Sequence, residues 1–238
     1  MIKLSNLRIK IFADGADLDS MIQIARKPYI KGLTTNPTLM KQSGVTNYRE
    51  FAKSVLGKIS DKPISFEVFS DNLSEMKNQA LEIASWAENV YVKIPITNSD
   101  GISTAGIIYD LSEEGVKINV TACLTTDQVV EISKVLNPSI SSYVSIFAGR
   151  IADTGINPIP IMQRSLELIS PLKNCELIWA SPRELLNVIQ ADEIGCHIIT
   201  ATSNILDKLP LIGKDLSTYS LETVRMFKDD AAASGFIL

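Results

Sequence analysis

The stretch ISFEVFSDNLSEMKNQALEIASWAENVYVKI, residues 64–94, holds one full period of the pattern that decides the fold. It opens on a short run, Ile64–Val68, in which apolar and polar residues alternate. A segment from Ser74 to Trp86 follows, with apolar residues at i, i+3 and i+4 spacing, the mark of an amphipathic helix. A second alternating run, Val90–Ile94, closes it. Strand, helix and strand in this order predict two parallel strands joined by a crossover helix.

The same alternation extends in both directions. Further short runs lie at Arg8–Ala13, Ile30–Thr34, Lys117–Thr121, Tyr143–Phe147, Glu176–Ala180 and His197–Thr200, which makes eight. Between them lie helix signals, including a capped start at Thr125-Thr-Asp-Gln. Gly115 and Gly195 stand where helices should stop. Eight units in 238 residues, about 30 each, close most economically into a (β/α)8 barrel, a fold of typically about 250 residues. An open doubly wound sheet would carry a GxGxxG turn after its first strand, and the chain has none. Residues 1–238 read as one barrel domain without a linker, and residues 216–238 as an additional C-terminal helix that covers the barrel or reaches a neighbouring subunit.

Composition narrows the function classes. With 45% hydrophobic and 21% charged residues the chain has enough apolar material for a sizeable core, and disorder is excluded. A net charge of −4 argues against a nucleic-acid partner held by a basic field. No apolar run approaches the about 20 residues that span a membrane, and the N-terminus lacks a signal-peptide pattern, so a cytoplasmic protein is expected. Three cysteines without CxxC spacing and a single histidine, His197, offer neither a disulfide framework nor a metal site. His197 lies in an apolar run and reads as a structural residue.

Alternation also predicts which side chains face the barrel interior. Val90, Val92 and Ile94 face the helices, so Tyr91 and Lys93 point inward. By the same parity Ser65, Glu67, Asn119, Thr121, Tyr143, Ser145, Phe147, Phe12 and Asp14 belong inside. Most of the polar members lie toward the C-terminal strand ends, where barrel active sites form. One lysine among Asp14, Glu67, Asn119 and Thr121 in an apolar cage fits amine chemistry. Desolvation disfavours an ammonium, and the free amine attacks a ketone to give a Schiff base, an electron sink for C–C cleavage. Parity fits equally a structural lysine paired with Glu67 or Asp14, and Asn119 and Thr121 as caps of strand or helix ends. Arg150 and Arg183 follow the sixth and seventh runs in adjacent loops, with Ser181 close by in sequence. Their guanidinium forks suit a phosphate dianion; pairing with Asp153 or Glu184 on the surface is the alternative.

These residues resemble the transaldolase family, Schiff-base aldolases of class I built on a (β/α)8 barrel. The resemblance runs nearly end to end: ADGAD from Ala13, GLTTNPT from Gly32, the Glu67 strand, VKIP from Val92, NVT from Asn119, SIFAGR from Ser145 and ASPR from Ala180. It implies that Lys93 forms the Schiff base, that Glu67 is a general acid–base acting through a water held by Thr121, and that Asp14 exchanges a proton with a substrate hydroxyl. Asn36, Asn119, Ser145 and Phe147 then line the bound three-carbon unit, and Arg150, Ser181 and Arg183 take the terminal phosphate. The family's aldolases carry Gln at the place of Glu67 and Tyr at that of Phe147. This chain has the residues of the transaldolases. A tyrosine hydroxyl has a proton to give the three-carbon enamine and phenylalanine has none, so the expectation is transfer of a dihydroxyacetone unit from fructose 6-phosphate or sedoheptulose 7-phosphate to an aldose phosphate.

The resemblance further implies sugar phosphates as the small-molecule partners, no cofactor, a place in the pentose phosphate pathway or a specialised carbohydrate pathway, and homo-oligomeric rings of five or pairs of such rings. The chain departs from the family pattern at Ile146, where Pro is usual, at Thr121-Ala-Cys-Leu, and at the bulky Trp179. Simple aldol cleavage releasing dihydroxyacetone, and a barrel that binds sugar phosphates without catalysis, are the competing readings.

Overall fold

The computed structural model describes residues 3–235. Eight parallel strands close into a barrel in sequence order, each hydrogen-bonded to the next and the eighth to the first. The strands are β1 (Lys10–Asp14), β2 (Ile30–Thr34), β3 (Ile64–Glu67), β4 (Val90–Pro95), β5 (Ile118–Cys123), β6 (Ser142–Ile146), β7 (Cys175–Trp179) and β8 (Ile198–Ala201). Helices α1 (Leu18–Ala25), α2 (Pro37–Gln42), α3 (Tyr48–Leu56), α4 (Leu73–Ala84), α5 (Ala105–Glu113) and α6 (Thr126–Ser133) separate the first six strands. After β6 come α7 (Ala148–Asp153), α8 (Ile159–Ile169), α9 (Leu186–Glu193), α10 (Ser203–Leu206) and α11 (Leu216–Ser234). The expected barrel and its added C-terminal helix are both present; residues 236–238 of the expected tail lie outside the described residues.

Local chemistry sets the helix boundaries. Asn36, Asn47, Asn72 and Asp215 each accept a backbone N–H as N-caps of α2, α3, α4 and α11. Thr125 and Gln128 form the reciprocal capping box anticipated for α6. Gly115 and Gly195 take left-handed φ values of 84° and 75° and end their helices as read from the sequence.

The interior and exterior sets separate as strand parity requires. Ile9, Ile11, Ile64, Phe66, Val90, Val92, Ile94, Ile118, Val120, Val144 and Ile146 join the main core between strands and helices. Phe12, Tyr143, Ile178, Ala180 and Ile198 form a second cluster, with Tyr91 and Phe147 packed on it. Tyr91 and Tyr143 stack with centroids 4.0 Å apart, and Phe12 meets Tyr143 edge-on at 5.9 Å. These rings belong to strand levels below Asp14, Lys93 and Ser145. Gly32 is required beside them, because a Cβ there would come within 2.4 Å of the Phe12 ring.

Two bulges re-aim side chains. In β2, Ile30 pairs Ile11 and Gly32 pairs Phe12, so Lys31 is the extra residue. In β5, the register slips between Val120 and Cys123, and Ala122 takes a left-handed φ of 61°. Cys123 is thereby returned to the outer core.

The remaining fold-level readings concern the cysteines, the histidine and α11. All three cysteines are buried and free. Burial lowers the pKa of His197, whose Nδ1 accepts the Leu177 N–H at 3.0 Å just ahead of β8, which suits a structural histidine. No helix among the described residues is long and apolar enough to cross a membrane. The described part of α11 has no buried residue and exposes Leu216, Tyr219, Leu221, Val224 and Phe227.

Candidate active site

Strand register brings the charged groups together. Glu67 of β3 is the direct partner of Lys93 on β4, and Lys93 that of Asn119 on β5. All three point inward, so one level of the barrel holds a carboxylate, an ammonium and an amide side by side. Lys93 Nζ lies 3.0 Å from Glu67 Oε2 and donates to the Thr35 carbonyl at 2.8 Å. The Lys93 side chain is only 8% exposed and that of Glu67 18%. An ammonium this deep needs such partners, because a buried unpaired charge costs several kcal/mol, roughly.

Asp14 closes β1, where it pairs Thr34 in register. The Thr34 hydroxyl donates to Oδ1 at 2.8 Å and Asn36 Nδ2 to Oδ2 at 3.1 Å. Asn36 also starts a helix: its Oδ1 caps α2 by accepting the Leu39 N–H. Burial raises the Asp14 pKa; the charge of Lys93 and the bonds from Thr34 and Asn36 oppose it, and the charge of Glu67 adds to it. A carboxyl so placed is suited to picking up and returning a proton.

Asn119 joins two hydroxyls, donating to Ser65 Oγ at 3.0 Å and accepting from Ser145 Oγ at 2.7 Å. Thr121 Oγ1 is buried without a hydrogen-bond partner among the described residues. Such a group normally has one, so this hydroxyl is free to hold a ligand or solvent atom. The left-handed Ala122 directly follows it.

Of the two arginines, Arg150 lies in α7, directly after β6, and Arg183 in the loop after β7. The Arg150 guanidinium lies 5.4 Å over the Phe147 ring. Arg183 pairs with Asp153 through Nε at 2.9 Å and one terminal nitrogen at 2.5 Å. That side-on fork leaves the end of the guanidinium open. The Arg183 bond, with the charges of Arg183 and Arg150, depresses the Asp153 pKa. The loops are pressed together at Gly149, where a Cβ would lie 1.6 Å from the Ser181 carbonyl oxygen. Ser181 itself adopts a left-handed φ of 59°.

Reading the sequence missed several contributors. Thr34 and Thr35 lie within the GLTTNPT motif, but the Lys31 bulge breaks the parity that would have pointed Thr34 inward. Thr200, which shares a 2.6 Å hydrogen bond with Thr34, lies on the inward face with Ile198 while Ile199 joins the outer core, and so was legible from strand parity. Asp153, the surface alternative for the arginines, does hold Arg183.

Comparison with known proteins agrees with this geometry. The family model described as Transaldolase/Fructose-6-phosphate aldolase matches residues 11–236. A probable transaldolase of Thermoanaerobacter sp. (strain X514) is 31% identical over 228 residues, covering 95% of this chain and 99% of the relative. One of Methanococcus maripaludis (strain C7) is 34% identical over 202 residues, 84% of this chain and 89% of the relative. One of Streptococcus agalactiae serotype V is 32% identical over 215 residues, 89% and 95% respectively.

The raised pKa of Asp14 has a testable sign. Relative to the unfolded chain its carboxylate form is disfavoured, so the fold loses stability as pH rises through the folded-state value. Asp14→Asn removes this loss, since Thr34 can accept from the new amide while donating to Thr200. The thermal midpoint of the variant should equal that of the wild type below the ordinary carboxylate pKa of about 4 and exceed it increasingly above. A variant less stable at neutral pH than in acid, relative to wild type, would contradict the assignment.

With the match spanning nearly the whole barrel, the chain belongs to the transaldolase/fructose-6-phosphate aldolase family and is an enzyme of that kind.

Proposed function

We propose that the protein transfers a dihydroxyacetone unit from a ketose phosphate, fructose 6-phosphate or sedoheptulose 7-phosphate, to an aldose phosphate through a Schiff base on Lys93. The observation that carries this reading is the Lys93–Glu67 pair at 3.0 Å, with the lysine buried and the glutamate partly so. Proton transfer from Nζ to Glu67 frees the amine. The amine attacks the C2 carbonyl, and loss of water from the carbinolamine, aided by Glu67 through a water held by Thr121, gives the iminium. Asp14 takes the proton of the C4 hydroxyl, the C3–C4 bond breaks, and its electron pair flows into the iminium as an enamine. The departing aldehyde leaves the three-carbon unit on Lys93. An acceptor aldehyde is then attacked by the enamine carbon, Asp14 returns the proton, and water hydrolyses the new iminium. The lysine is its own electron sink, so the sequence of steps uses no cofactor.

Asn36, Asn119 and Ser145 hydrogen-bond the three-carbon unit in this reading, and Arg150, Ser181 and Arg183 bind the terminal phosphate. Phe147 favours transfer over simple aldol cleavage, because its ring has no proton for the enamine, which waits for an acceptor. The apolar face of α11 packs on a second copy of the chain, in a ring of five or a pair of rings; its exposed Leu216, Val224 and Phe227 support this.

Borohydride reduction in the presence of fructose 6-phosphate or sedoheptulose 7-phosphate should leave a three-carbon adduct on Lys93, readable by mass spectrometry and discharged by erythrose 4-phosphate when that is added first. Lys93→Ala should lose the adduct and at least about 10⁴-fold of the rate, as loss of a covalent nucleophile does elsewhere. Absence of an adduct with both donors would sink the reading. Phe147→Tyr should raise acceptor-independent cleavage; an unchanged cleavage rate would remove the role given to Phe147. In light scattering, the full chain should be a multimer of about five or ten copies and a chain ending at Ile212 a folded monomer. A monomeric full chain would refute the role of α11.

A further inference from the structure

The C-terminal end of β3 lacks a neighbour on one side. β2 ends at Thr34 and the chain turns into α2, while β3 continues to Glu67. The last bonds across this edge run from Thr35, whose N–H and hydroxyl both donate to the Ser65 carbonyl at 3.1 and 2.9 Å. Two residues on, the Glu67 N–H and C=O face the same edge, as strand periodicity requires. The opposite edge is served normally, with the Val68 N–H donating to the Lys93 carbonyl at 3.1 Å.

Tyr48, the first residue of α3, fills the vacant edge. Its hydroxyl accepts the Glu67 N–H at 2.8 Å and donates to the Glu67 carbonyl at 3.1 Å. One hydroxyl thus does for Glu67 what a strand residue would do. The ring that carries it is fixed by edge-on contacts to Phe66, Phe69 and Trp86, with centroids 6.1, 4.5 and 5.6 Å away. Burial pushes the hydroxyl's pKa up, so it stays a proton donor across the neutral range.

We infer that Tyr48 is a positioning residue for Glu67: it grips the backbone of the residue whose carboxylate stands 3.0 Å from Lys93 Nζ, and so fixes where that carboxylate lies. The inference rests on the reading of Glu67 as the general acid–base. Without the hydroxyl, both backbone groups of Glu67 lose their partner and the strand end is free to shift, whereas the donor sugar's own contacts are untouched. The loss therefore falls on the chemical step rather than on binding.

The test is a double-mutant cycle on the full-length protein, with Tyr48→Phe, Glu67→Ala and the double variant. Acceptor-dependent transfer is measured from fructose 6-phosphate to erythrose 4-phosphate. Tyr48→Phe keeps the ring and its packing. It should lower kcat about 10- to 100-fold, the scale of a displacement of about 1 Å in a catalytic group, with KM for the donor within about twofold. Tyr48 touches only the backbone of residue 67, so its contacts survive in Glu67→Ala. There the added Tyr48→Phe change should alter kcat less than about twofold. An unchanged kcat in Tyr48→Phe alone, beside an impaired Glu67→Ala, overturns the inference and leaves the role of Glu67 standing. Equal losses in both backgrounds also overturn it, since they mark a general structural role. A Glu67→Ala variant with full kcat removes the acid–base reading, and the inference falls with it.

Discussion

Lys93 and Glu67 face each other at the C-terminal mouth of a closed barrel, and much of the surrounding architecture follows from keeping them there. Either charge alone would be expelled or neutralised. Together they are tolerated only because β3 and β4 are in a register that seats Glu67 opposite Lys93, and because the Thr35 carbonyl takes a further ammonium proton. The strands close on themselves, and the rings of Phe12, Tyr91 and Tyr143 occupy the interior levels beneath. The polar level is thereby confined to the C-terminal mouth, with an apolar floor under it.

Beside this level of the barrel the backbone departs from regularity at two non-glycine residues. Ala122 and Ser181 are the non-glycine residues described with positive φ, and each borders the site. One follows the unpartnered Thr121 hydroxyl; the other turns its carbonyl into the space that only a glycine at 149 leaves open. Such conformations cost roughly 1–3 kcal/mol each and persist where surrounding packing over-determines them. The cost sits at the C-terminal end of β5 and in the loop after β7.

The fold was legible because its signal is redundant. Eight short runs each report parity, and an error of one or two residues at an end, as in Arg8–Ala13 against the observed Lys10–Asp14, changes neither face nor order. Inward placement of Glu67, Lys93, Asn119 and Ser145 was readable from VYVKI and its neighbours for the same reason. What escaped were contacts that depend on three-dimensional accidents. The Lys31 bulge shifts β2 out of phase, which concealed Thr34. Tyr48 reaches Glu67 across 19 residues from the start of a helix, and no spacing rule links the two. The left-handed turn at Ser181 carries no glycine to announce it. The pairing of Arg183 with Asp153 was one of the alternatives the sequence offered, and only its side-on geometry was not legible there.

Asn36 has a consequence for how such a chain can change over generations. Its carbonyl is committed to starting α2 and its amide to Asp14, so the orientation of the group cannot reverse without losing both. A replacement that fills neither role weakens a helix and unsettles an acid in one stroke. Aspartate would preserve the cap but withdraw the donor; glutamine would keep the donor on a side chain too long for the cap. Drift at this position is therefore blocked from two directions, by the start of a helix and by the partner of a buried acid.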